Sequence, residues 1–173
     1  KHKMKLLDKY NFSVKLLCLL MLFYVTITSA QPVLPQRAIT VYASQKLNFG
    51  LFYDKSGYGG SISVDPQGTR TVTGGIAILP SYPGQPALFE IKLCQGRSIT
   101  ISYPLETTLT STGGAEIIMK IGPTQKGGNG AIFATENNCN FITILRVGGK
   151  LIIPPNTNAG VFTGEFEIYF EQQ

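Results

Sequence analysis

The sequence predicts an all-β chain folded as an immunoglobulin-like two-sheet antiparallel β-sandwich, on three observations. Short runs that alternate apolar and polar residues follow one another from residue 38 to the C-terminus. Turn residues separate them: glycine pairs stand at 59–60, 74–75, 113–114, 127–128 and 148–149. No helical periodicity persists beyond two turns. Alternation gives each strand one apolar face, and two stacked sheets bury those faces against one another.

The chain begins with a different pattern. Lys1, Lys3, Lys5 and Lys9 form a basic region, and Lys15 leads into the apolar run "LLCLLMLFYVTI" at 16–27, followed by "TSA" and Gln31. This is the layout of a secretory signal peptide cleaved after Ala30. About a dozen apolar residues are too few to cross a bilayer whose hydrocarbon core is about 30 Å thick. Leu16 and Leu17 stand before Cys18 where a lipoprotein signal has small residues. Cleavage leaves a short Pro-rich lead-in at 31–37 and a single domain at 38–173, with no membrane span. The expected location is the periplasm, the cell surface or an extracellular filament.

The leader also carries the apparent basicity. It holds five of the fifteen Lys and Arg residues and one of the ten acidic residues, so ten basic face nine acidic residues after cleavage. A nucleic-acid partner is not expected, because phosphate binding needs a basic patch. His2, the one histidine, and Cys18 leave with the leader, and Cys94 and Cys139 remain. In an oxidising compartment such a pair is expected to form a disulfide, worth about 4 kcal/mol of chain entropy over that span.

The strands are expected in this order. "AITVYAS" and "KLNFGLFY" alternate; "SISV", "DPQG" and "TRTVT" make a hairpin, since Pro66 presets φ and Gly68 accepts an unusual one. "GIAILP" follows. "ALFEIKL" and "RSITISY" flank "CQG" as a second hairpin, with Phe89, Ile91 and Leu93 on one face. "EIIMKI" comes next, and the poorly patterned "GPTQKGGNGAIFATENN" is expected to be a long flexible loop. "NFITILRV" and "KLIIP" are expected as two strands about a Gly148–Gly149 turn. A closing strand spans 161–170, with Phe162, Gly164, Phe166, Ile168 and Phe170 on its apolar face.

Catalytic chemistry has little to work with. A nucleophilic triad needs a base, usually histidine, and none remains after cleavage. Glu165 and Glu167 share a strand face about 7 Å apart, a separation that any such pair has, and a solvated acidic face is the plainer expectation. Asp54, Asp65 and Glu136 stand near glycines without an Asp-rich calcium loop. No enzyme activity, cofactor or metal is therefore expected. Tyr53 and Tyr58 in "FYDKSGYGG" and Tyr82 in "PSYPGQP" lie among small residues, where exposed rings form platforms for a glycan or a protein.

"ITVYASQKLNFG", "GGSISVDPQGTRTVTGG", "ALFEIKLCQGRSITISYP" and "VGGKLIIPPNTNAGVFTGEFEIYF" occur in this order. Together they resemble the bacterial secreted family named domain of unknown function 4402, which has no assigned catalytic residues to carry over. "KLNFG" and the alternating strand after "AGVFTG" are similar, more faintly, to archaic chaperone–usher pilins and spore-coat-like subunits. That likeness implies a sandwich that borrows a strand from a neighbour. The chain departs from it in its short lead-in, which carries Pro32 and Pro35, and in ending four residues after Tyr169.

The function expected is an exported structural or assembly subunit of the bacterial cell surface. It would be a fimbria-like filament subunit pairing by β-strands with copies of itself or with other filament subunits. Phe162, Phe166, Ile168 and Phe170 would anchor that pairing, or the closing strand would complete its own domain and another edge, near Ile39 and Val41, would pair instead. The alternative is a secreted adhesin-like module that binds a glycan or a surface protein through the tyrosine loops.

Overall fold

The computed structural model describes residues 38–173 apart from 95–97, 137 and 139. The leader, its cleavage site and the 31–37 lead-in lie outside the described residues. The described residues form strands and no helix. In chain order the strands are β1 (Ala38–Gln45), β2 (Phe52–Asp54), β3 (Gly60–Val64), β4 (Arg70–Gly74), β5 (Ile76–Ile78), β6 (Ala87–Cys94) and β7 (Ser98–Ser102). β8 (Glu106–Ser111), β9 (Glu116–Thr124), β10 (Ile132–Ala134), β11 (Thr143–Ile153), β12 (Phe162–Thr163) and β13 (Tyr169–Gln172) follow.

Every strand pair is antiparallel. The larger sheet runs β1-β6-β11-β9-β8-β12, with β3 and then β4 attached to β11. The smaller sheet is β10-β7-β13, and β2 and β5 form a separate ribbon. The two-sheet sandwich expected from the alternation is thus what the chain forms. Its core takes Ile91 and Leu93 from β6, Leu145 and Val147 from β11, and Ile117, Met119 and Ile121 from β9. Ile99 and Ile101 from β7 and Phe133 from β10 belong to the same cluster. Phe89 of β6 and Phe170 of β13 meet across the sheets with ring centroids 6.0 Å apart.

The β3–β4 hairpin matches the sequence expectation, its register running from Val64↔Arg70 to Gly60↔Gly74. Asp65 sets the turn: its Oδ1 accepts the N–H groups of Gln67 and Thr69 at 2.9 and 2.7 Å. Other expectations are corrected. β6 and β7 are no hairpin, since β6 pairs with β1 and β11 while β7 pairs with β10 and β13. The expected turn itself, residues 95–97, lies outside the described residues, and the strands on either side of it belong to different sheets.

Gly148 and Gly149 make no turn either, because β11 runs straight through them. β6 pairs with Thr143–Val147 and β3 with Gly149–Ile153 along one side of β11, while β9 pairs along the other. Gly148 falls where β6 gives way to β3, and a Cβ there would stand 2.4 Å from the Val64 carbonyl oxygen. The glycine permits close backbone approach. "KLNFGLFY" is mostly irregular: Asn48 bridges Gln85 and only Phe52–Asp54 is strand. The stretch expected as one long loop contains the end of β9 and all of β10.

Candidate functional site

β1 stands at the end of the larger sheet and pairs only with β6 among the described residues. Its register is unbroken from Ala38↔Cys94 to Ala43↔Phe89, and a bulge follows between Ala43 and Gln45. Sheet edges in natural proteins are blunted by short strands, charges, proline or bulges, because unpaired N–H and C=O groups invite another strand. The other edges meet that description: β12 has 2 residues, β10 has 3, β13 has 4, and β4 has 5 and carries Arg70. β1 has 8 residues and neither charge nor proline.

Its side chains are correspondingly open. Val41 is 36% exposed although its register partner Ile91 is 1% exposed. On the outer face Tyr42, Glu90 and Ile144 stand in one cross-strand row, and Tyr42 and Ile144 are exposed. Two exposed apolar side chains therefore flank Glu90 beside the β1 edge.

The five residues expected on the closing strand lie along this chain's own sandwich. The segment is two short strands rather than one: β12 pairs with β8 in the larger sheet, and β13 pairs with β7 in the smaller. It follows the chain from β8 back to β7, and Thr107 Oγ1 donates to the Glu165 carbonyl at 2.9 Å between the two pairings. Phe162, Phe166, Ile168 and Phe170 pack on the core while staying partly exposed. Gly164 permits this seat, since a Cβ there would stand 2.5 Å from Leu109 Cδ2 and 2.7 Å from the Thr108 carbonyl oxygen. Glu167 accepts the Tyr169 hydroxyl at 2.5 Å, and this bond together with the carboxylate's charge raises the phenol's pKa.

The three candidate tyrosines are all exposed, Tyr58 most of all at 83%. They spread along the β2–β5 ribbon. Tyr53 pairs with Ala77 within it, and Tyr82 N–H donates to Leu79 O at the end where Leu79 N–H bonds Leu51 O. Tyr58 belongs to the loop beyond Asp54 at the other end. Asp54 holds that loop: Oδ1 accepts the Ser56 and Gly57 N–H groups and the Ser56 hydroxyl, and Oδ2 accepts Gly59 N–H at 2.7 Å. Sequence reasoning misses this role, which Asp followed by Ser at +2 and Gly at +3 could have signalled.

Those bonds, led by the Ser56 N–H, lower the Asp54 pKa below its ordinary value. A depressed carboxyl pKa means that its contribution is present above the unfolded value and is lost as pH falls through the folded one. The Ser56, Gly57 and Gly59 amide resonances should therefore keep their neutral-pH positions through the ordinary aspartate range and move only below it. In Asp54→Ala they should be displaced at every pH, which an NMR pH titration reads directly.

Cys94 ends β6 and has an interaction partner. Cys139 lies outside the described residues, so the pairing stays an expectation of the sequence. No cluster of three or more His, Cys, Asp or Glu able to hold a metal occurs among the described residues. No helix among them is long and apolar enough to cross a membrane.

Neither a curated protein nor a solved structure matches the chain. The family described as domain of unknown function DUF4402 matches residues 39–171, from the second residue of β1 to the third of β13. The match takes in the free edge, the tyrosine ribbon and the C-terminal strands together, and the chain belongs to the DUF4402 family.

Proposed function

We propose that this protein is an exported structural subunit of the bacterial cell surface, a fimbria-like component that associates through β-strand pairing at β1. The observation that carries the reading is the bulge-free run from Ala38 to Ala43, which is uncharged, proline-free and, among the described residues, paired on one side only. Added strands gain main-chain hydrogen bonds from such an edge and specificity from alternate side chains, here Val41 on one face and Tyr42 on the other. In this reading the leader directs export and Cys94 is cross-linked to Cys139.

Cross-strand partners supply a test that spares the fold. Thr40 faces Lys92 and Tyr42 faces Glu90. The double variant Thr40→Glu, Tyr42→Lys therefore charges the edge while placing each new charge opposite its counter-ion. The parent exported chain should show oligomers by light scattering after size exclusion, and the variant should lose them with its melt unchanged. A parent that stays monomeric at all concentrations, or a variant that assembles like the parent, would refute edge pairing.

The binding-module alternative is favoured by one observation, the exposed Tyr58 on a loop held by Asp54. Retention on a panel of glycans and surface proteins should then fall with Tyr58→Ala or Tyr53→Ala while the melt stays put. Equal retention by parent and variants would remove that reading's basis.

A further inference from the structure

We infer that the C-terminal segment, residues 162–173, is an exchangeable strand that can leave its own β7–β8 seat and occupy the same seat on a second copy of the chain.

Three observations carry this. First, the segment contributes no fully buried side chain. Every buried hydrophobic side chain lies at or before Ile153, and Phe162, Phe166, Ile168 and Phe170 are only partly buried against that core. Second, the pairings are short. Two residue pairs hold the segment to β8 and four hold it to β7, with the Thr107–Glu165 and Gln173–Ser98 bonds besides.

Third, the tether is long and loosely held. Residues 154–161 are exposed apart from half-buried Thr157, and Val161 is 75% exposed. Asn156 N–H donates to Gly57 O at 3.1 Å, and Thr157 Oγ1 closes a local bond to Pro154 O. Eight extended residues span up to about 26–29 Å, so the tether leaves the segment room to swing away from its seat.

The occupant follows from chemistry. The seat is shaped for this segment, with Gly164 against the Thr108 carbonyl and Phe170 against Phe89. A second copy brings an identical segment, so whatever packing and pairing a chain gives up within itself it recovers on its neighbour. The balance then depends on tether strain and protein concentration, which is the usual ground for domain swapping.

Exchange needs no pairing at β1. The filament does rest on the proposed function, because two β1 edges paired about a two-fold axis close a dimer. A second, different joint on each subunit turns closed dimers into an open chain.

Thr163 and Thr110 are register partners and both are exposed, which makes them a cross-link reporter. The exported chain carrying Thr110→Cys and Thr163→Cys would be concentrated, oxidised and run without reductant, with peptide mapping of the bond. Covalent dimers joined between positions 110 and 163 of different chains, absent from the parent and increasing with concentration, are the expected result. A cross-link within single chains at every concentration would overturn the inference.

Gly164→Val, added to the two cysteine substitutions, would unseat the segment in either setting and should abolish the dimers. Persistence of the dimers would overturn the inference as well. Adding Thr40→Glu and Tyr42→Lys instead separates the two proposals, since exchange predicts that the cross-linked dimers survive them. Their disappearance would mean that the contact belongs to the β1 edge.

Discussion

Gly148→Ala should destabilise the domain by about 3 kcal/mol, near the upper end of what overpacking typically costs. The new Cβ would lie 2.4 Å from the Val64 carbonyl oxygen and 3.2 Å from Asp65. Both are backbone atoms of the β3–β4 hairpin, and they can yield only if β3 shifts against β11. The neighbouring Gly149→Ala supplies the control. Its Cβ would meet the flexible tip of Leu47 at 2.8 Å, with Lys120 O and Phe49 Cζ at 3.2 and 3.3 Å. Urea unfolding should place the Gly148 variant's midpoint well below that of the Gly149 variant. Equal midpoints would show that β3 moves freely at this crossing.

Ile101→Ala should cost more, about 2–5 kcal/mol, the range for truncating a fully buried aliphatic side chain. Ile101 is 0% exposed on β7, the central strand of the smaller sheet, and its register partner on β13 is Phe170. Phe170→Ala removes a larger side chain, yet it should destabilise less because that ring is only partly buried. Thermal melts of the two variants give the comparison. The reverse order would mean that the C-terminal segment carries more of the core's stability than its exposure indicates.

The sequence made the sandwich legible because alternation survives in β1, β6, β9 and β11, whose inward side chains do the packing. It located the β3–β4 turn because Asp65, Pro66 and Gly68 act within five residues of one another. It misread β6 and β7 as paired because alternation and a turn signal say that a strand ends, not which sheet the next one joins. Which sheet receives the next strand is decided by partners far along the chain. Gly148 and Gly149 misled for a related reason: glycine marks both a reversal and a close crossing, and only the position of Val64 distinguishes them. The split of the closing strand into β12 and β13 was hidden because its alternation continues across the bend. The edge near Ile39 and Val41 was named only as an alternative to the closing strand, since an edge strand and an interior strand can share one sequence pattern.

β11 has a consequence for the order in which the chain can fold. Before residue 143 is available, β1–β6, β3–β4 and β8–β9 can each form only a two-stranded unit, and such pairs are at best marginal in water. β11 then docks against β6, β3 and β9 at once and fuses three weak units into one sheet. A chain delivered N-terminus first is therefore kept open until β11 arrives, and a chain truncated at residue 142 should gain no cooperative transition.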